Sequence, residues 1–150
     1  MTATPMLELI TAARLSGDWS PVVAAIPYAR FLDLSVQHTD GAFVCRLPFA
    51  PHIVGNPALP AIHGGAIGAL LESAAVLLLL EHADTAMLPK IITLTVDYLL
   101  SGRPVETFAS GTITRLGRRV ATVHTRAWQT SPDRPIATAN AHFLLAPEDR

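Results

Sequence analysis

The sequence predicts an α+β domain in which an antiparallel sheet covers one long central helix. Residues 66–80, AIGALLESAAVLLLL, carry Glu72 and Ser73 as their only polar side chains. A helix that is apolar on every side of its wheel is buried on every side, so the sheet must cover it. The remaining apolar residues alternate with polar ones in short runs separated by turns, the pattern of half-buried strands. With antiparallel hairpins and one central helix, the class is α+β.

Residues 5–15 (PMLELITAARL) space their apolar positions as a helix does, and Ser16-Gly17-Asp18 ends it. Residues 21–27 read as a proline-bounded apolar linker, so that 1–28 form an N-terminal helix and linker. Two alternating runs follow, 31–38 and 42–49, and the Thr39-Asp40-Gly41 between them carries the Asp-Gly hairpin signal. Leu32, Leu34 and Val36 share one face of the first run. Phe43, Cys45, Leu47 and Phe49 share one face of the second, which makes Cys45 a small core residue. Residues 50–61 are a proline-rich loop leading into His63-Gly64-Gly65 and the long helix. Met87-Leu88-Pro89 then turns the chain. Ile92, Leu94, Val96, Tyr98 and Leu100 alternate with Thr93, Thr95 and Asp97 as a strand. Residues 107–115 and 120–130 read as two more strands, joined by Leu116-Gly117-Arg118-Arg119, and 136–145 as the last. Without a repeat, a low-complexity tract or a long linker, residues 1–150 read as one domain.

Composition narrows the function. Half of the 150 residues are hydrophobic and only 15% are charged, against roughly 25% in ordinary soluble domains. Such a chain hides surface in an oligomer or wraps an apolar ligand. Eleven basic and twelve acidic side chains leave a net charge of −1, without the electrostatic footprint of a nucleic-acid binder or a polybasic membrane patch. The apolar run is shorter than the ~20 residues of a membrane span and holds a carboxylate at its centre. No secretory signal is visible, so the expected compartment is the cytoplasm. One cysteine excludes a disulfide framework. His38, His52, His82, His124 and His142 lack metal-ligand spacing, and no metal is expected.

Two features carry chemistry. Glu72 lies in the apolar helix, with Gly68, Ala69, Ala75 and Val76 one turn away. Desolvation raises the pKa of such an acid toward the range of a general base; an ion pair at a subunit interface would also account for it. Gly64-Gly65 opens the helix, where free N–H groups and the positive dipole end can hold a carbonyl oxygen that becomes negative. An ordinary Gly-Gly turn would look the same. Seven residues of helix separate Gly65 from Glu72, a rise of about 10.5 Å. One helix therefore cannot bring both groups to one carbonyl carbon. If they act together, they come from two subunits related by a two-fold axis.

The proline-rich loop, Asn56, the HGG at 63–65 and the acid nine residues after the histidine resemble the hotdog-fold acyl-CoA thioesterases. Within them the chain is most similar to the PaaI-like (phenylacetate-pathway) and Arthrobacter-type 4-hydroxybenzoyl-CoA thioesterase group, over about residues 25–147. The resemblance implies an antiparallel sheet wrapped around a long helix, and a homodimer or a dimer of dimers as the working unit. It implies that Gly65 N–H holds the thioester carbonyl beside Gly64, that His63 organises the loop, and that Asn56 orients the thioester or water. Glu72 then activates water or attacks the thioester. The acyl-CoA is the substrate, coenzyme A enters only as part of it, and no separate cofactor is implied. Thr93 and Thr95 are candidates for the hydroxyl that the family places near the acid, and Arg118 and Arg119 for contacts with the CoA phosphates. Two departures stand out: Asn56 lies seven residues before His63 where six is usual, and Pro60 replaces a common glycine.

Two other functions fit the same residues. A non-catalytic hotdog module would bind acyl-CoA without turnover, and a hotdog hydratase or dehydratase would exchange protons at the acyl α-carbon.

Overall fold

A computed structural model describes residues 3–85 and 87–145. Three helices come first: α1 (Ala3–Ser16), α2 (Ser20–Ala25) and α3 (Pro27–Phe31). Strands β1 (Ser35–Thr39) and β2 (Ala42–Leu47) form a hairpin. A single 3₁₀ turn (Pro51–Ile53) and a two-stranded hairpin, β3 (Val54–Asn56) and β4 (Ala61–Ile62), lead to α4 (Gly64–His82). Four strands end the chain: β5 (Lys90–Tyr98), β6 (Thr107–Leu116), β7 (Val120–Trp128) and β8 (Ala137–Leu144). Six strands make one antiparallel sheet in the order β1-β2-β6-β7-β8-β5, with β1 and β5 at its edges.

The predicted class holds, and the physical reason lies in how sizes alternate across the core. The helix contributes large side chains, Leu70, Leu71, Leu77, Leu79 and Leu80, all buried. The facing strands contribute small ones, Ala121, Ala127, Ala137, Ala139 and Ala141, also buried. Large against small lets α4 lie close on the sheet in low-energy rotamers. Cys45 is fully buried in this core, and desolvation pushes its thiol up to about 12, so it is a packing residue. The helix is long and apolar enough to cross a membrane, but most of its surface is inside the molecule.

Four expectations are corrected. The proline-bounded linker is in fact α2 and α3, with Pro21 and Pro27 in their first turns, where proline lacks no hydrogen bond the helix needs. The first alternating run becomes a strand only at Ser35: Phe31 ends α3 and Asp33 turns the chain with φ +54°. Leu32 and Leu34 are buried all the same, whereas Phe49 lies past the end of β2 and is exposed. In β5 the register slips between Ile91 and Thr93. This bulge turns Ile92 outward and leaves Ile91, Leu94 and Val96 packed on the core. Finally, α4 is not buried on every side: Ala69, Glu72, Ser73 and Val76 are only half-buried and form a stripe along it.

The last turn of α4 is held from outside the sheet. Arg14 of α1 donates from Nε and Nη2 to Leu80 O (2.8 and 2.5 Å) and from Nη2 to Ala83 O (2.7 Å). A guanidinium thus satisfies carbonyls that a helix end leaves free, where positive charge is also favoured. Replacing Arg14 by Ala should cost about 2 kcal/mol, because these charge-assisted bonds are lost together. Thermal unfolding should shift down by roughly 4–8 °C; an unchanged Tm would show that α1 does not brace α4.

Candidate active site

The loop ahead of α4 is built to present the first turn of the helix. His63 is the N-cap, and its Nδ1 accepts from Gly65 N–H at 2.8 Å, so this nitrogen is unprotonated. The His63 N–H donates to Ile53 O at 2.8 Å, which ties the 3₁₀ turn to the cap. A Cβ on Gly55 would stand 2.9 Å from His63 Cα, so β3 needs glycine there for His63 to close against it. Tyr98, at the end of β5, donates its hydroxyl to Gly64 O at 2.6 Å. Its ring lies 3.3 Å from where a Gly64 Cβ would be.

Gly64 therefore has no side chain because Tyr98 occupies the space, whereas Gly65 is exposed and meets only the His63 ring. Gly55 and Tyr98 were not singled out in the sequence. Gly55 becomes meaningful only once the β3–β4 hairpin is known, and Tyr98 only once the strand end is placed over α4.

Glu72 occupies a different part of the helix. It lines a cavity of about 240 Å³ with Ala69 and Val76 of α4, Ile26 and Tyr28 of the N-terminal segment, and Leu88 and Pro89 ahead of β5. Among the described residues its carboxylate has no ion-pair partner. Desolvation raises its pKa above the ordinary glutamate value, because water is withdrawn from the charged form and nothing replaces it. The cavity reaches neither His63 nor Gly65. One chain thus holds the amide and the acid apart, as the helical rise requires.

The other candidates are placed as follows. Asn56 ends β3, and its Oδ1 accepts from Ala58 N–H (3.0 Å) and Leu59 N–H (3.4 Å), an Asx turn that closes the hairpin. Hairpin pairing sets it across from Ala61, two residues before His63. Thr93 and Thr95 are exposed and alternate with core-packed Leu94 and Val96, so within one chain they face away from α4 and do not meet Glu72. Arg118 and Arg119 are exposed in the β6–β7 turn. The register Val120↔Leu144↔Lys90 sets this turn at the end of the sheet where β5 begins, with β8 between them; neither arginine lines the Glu72 cavity.

A larger cavity of about 570 Å³ opens at the C-terminal end of α4, between the β1–β2 hairpin and β6. Its acid, Glu81, is engaged on both oxygens, by His38 Nε2 at 3.1 Å and His82 Nε2 at 3.2 Å. No cluster of three metal-ligating side chains occurs among the described residues. Glu81 is thus paired, whereas Glu72 in the smaller of these two cavities has no ion-pair partner among the described residues.

The thioesterase superfamily is matched over residues 59–136, a stretch with the HGG, all of α4 and three of the following strands. Among solved structures, a protein from Chromobacterium violaceum is 35% identical with a TM-score of 0.74; the match covers 93% of this chain and 98% of the other. A Bacillus halodurans protein whose crystal structure contains CoA is 21% identical with a TM-score of 0.72, covering 97% and 94%. A phenylacetic acid degradation-related protein from Ralstonia eutropha is 20% identical with a TM-score of 0.70, covering 79% and 89%. The last two are similar in fold, which is the hotdog fold. No curated protein matches the sequence.

The environment of Glu72 has a measurable consequence for stability. Its pKa is raised in the folded chain, so the folded state binds the proton more tightly than the unfolded state does. Below the ordinary carboxylate pKa both states are protonated and burial costs nothing extra. As pH rises past it, the unfolded chain ionises first and folding loses stability, up to the folded pKa. Glu72→Gln should raise Tm around pH 7, with the gain vanishing by about pH 4. A lower Tm at pH 7 would mean that the carboxylate has a stabilising partner.

Proposed function

We propose an activity from one premise: the chain belongs to the thioesterase superfamily. It hydrolyses an acyl-CoA thioester to the free acid and coenzyme A, in a site assembled from two copies of the chain. The observation that carries this reading is Glu72, unpaired and half-desolvated, facing an apolar cavity on the helix whose other end presents the Gly65 amide.

The chemistry divides between the two helix ends. Gly65 N–H of one copy polarises the thioester carbonyl, with the helix dipole behind it. In the free chain that N–H is held by His63 Nδ1; an oxyanion is a stronger acceptor than a neutral imidazole and takes the bond over. Glu72 of the other copy removes a proton from water, which adds to the carbonyl carbon, or attacks that carbon itself. The tetrahedral intermediate collapses by breaking the C–S bond, and the thiolate leaves without needing a dedicated acid. Asn56 retains its amide NH₂ as a donor toward the thioester or the water, because its oxygen is committed to the turn. Arg118 and Arg119 stand at the end of the sheet where β5 begins, and guanidinium groups suit the CoA phosphates. No metal takes part, and coenzyme A enters as part of the substrate.

A second copy also accounts for surface that one copy leaves open. Beside the half-buried stripe of α4, the exposed apolar residues Leu88, Ile92, Tyr98, Leu99 and Leu100 lie along or next to edge strand β5. The low charge content fits a homodimer or a dimer of dimers formed there.

The test is thiol release from a panel of acyl-CoAs. Glu72→Gln should lower kcat by about 10²–10⁴-fold. The wild-type rate should also fall on the acid side at a pH above the ordinary glutamate range, as the raised pKa dictates. Equal, slow hydrolysis by wild type and variant would contradict the mechanism and favour a module that binds without turnover.

A further inference from the structure

Given the thioesterase reading, on which this inference rests, we propose that Tyr98 is a positioning residue for hydrolysis. Its hydroxyl fixes and polarises the one peptide whose N–H holds the thioester carbonyl. The Gly64 carbonyl and the Gly65 N–H belong to a single peptide unit, so a bond made at one is felt at the other. Tyr98 Oη donates to Gly64 O at 2.6 Å, at the short end of the range for such bonds. The helix ladder already takes one lone pair of that oxygen, and the phenol takes the second. Hydrogen bonds in series polarise one another. Electron density drawn onto the carbonyl oxygen therefore makes the Gly65 N–H a stronger donor.

The phenol is held in place from both sides. Tyr98 pairs with Ala137 of β8, and the next two N–H groups, of Leu99 and Leu100, both donate to Ile136 O at 2.8 and 3.0 Å. On the helix, Gly64 and Gly68 stand one turn apart beside the ring. A Cβ at Gly64 would lie 3.3 Å from the ring, and one at Gly68 would lie 3.5 Å from the hydroxyl oxygen. At the other end of the peptide, Gly65 N–H is bonded to His63 Nδ1, and turnover transfers that bond to the oxyanion. Among the described residues, Tyr98 is then the only side chain hydrogen-bonded to this peptide. It keeps the plane of the amide aimed while the N–H changes acceptor.

The experiment compares Tyr98→Phe, which keeps the ring and removes only the hydroxyl, with wild type in two measurements. In hydrolysis of acyl-CoAs, kcat should fall about five- to tenfold, the worth of one hydrogen bond. KM should stay within about twofold, because the oxyanion forms only in the transition state. The second measurement needs no turnover. Gly64-Gly65 is the only Gly-Gly pair in the chain, so glycine labelled with ¹³C′ and ¹⁵N gives a single carbonyl–amide correlation. In Tyr98→Phe both of its shifts should move upfield, as polarisation of the peptide is lost. Tyr98→3-fluorotyrosine keeps ring and hydroxyl, so it decides even where Tyr98→Phe weakens the pairing of copies. As a stronger donor it should raise kcat and move both shifts downfield. If hydrolysis depends on Glu72 but kcat or the Gly64-Gly65 shifts stay at wild-type values in both variants, this inference fails and the thioesterase reading stands. A lower Tm with kcat kept would also overturn it, by assigning the Tyr98 bond to stability alone. If wild type releases no thiol from any acyl-CoA, the thioesterase reading fails and takes the role of Tyr98 in turnover with it.

Discussion

Taking a carboxylate out of water without giving it a partner costs several kcal/mol when burial is complete, and Glu72 is part of the way there. Its pKa rises for this reason alone. Every feature around it keeps it so. Small side chains on α4 leave room beside it, Ile26 and Tyr28 close the cavity from one direction, and Leu88 and Pro89 from another. None of these carries a positive charge, and among the described residues the Glu72 carboxylate has no ion-pair partner. A packing solution for the same helix would have used an apolar residue at this position, as it does one turn away at Ala69, Ala75 and Val76. The molecule carries this cost at one place on its most apolar element, where a general base for thioester hydrolysis would draw on it.

The helix also explains why one copy of the chain is not enough for the proposed reaction. Its N-terminal amide and its acid are separated along the axis by more than the span of one carbonyl and its attacking water. Loop, cap and edge strand converge on the amide: Gly55 admits His63, His63 caps Gly65, and Tyr98 closes over Gly64. The N-terminal helices converge on the acid. Two well-built half-sites at opposite stretches of one rigid rod are what a two-fold pair of rods would join. The half-buried stripe of α4 and the apolar residues along β5 are then surface awaiting a partner.

Much of this was legible in the sequence because it follows from period and composition. The uninterrupted apolar run could only be a core helix, the Asp-Gly turn fixed the first hairpin, and the later strands ended within about two residues of where alternation stopped. Glu72 stood out because it was the only acid in that run. Other features depend on contacts between distant segments, which no period encodes. The prolines at 21 and 27 read as linker but start helices. The alternation through Ile92 was broken by a bulge. The stripe that makes α4 one-sided appears only after the sheet has covered the rest. Asn56 shows the same limit at the site: residue type suggested a role, while the turn that binds its side-chain oxygen is a three-dimensional fact.

The central claim is that amide and acid act across two copies, and mixed dimers test it directly. Glu72→Gln removes the acid. Gly65→Pro removes the N–H at the second helical position, which makes no intrahelical bond, and the His63 ring must move aside to admit the added ring. Each variant alone should be inactive. When the two are co-expressed at equal levels with separate tags, half of the dimers are hybrids, and each hybrid keeps one intact site of its two. The account predicts recovery of about a quarter of wild-type activity in the mixture, confined to the doubly tagged fraction. Hybrids as inactive as their parents would show that both groups must come from the same chain, and would contradict it.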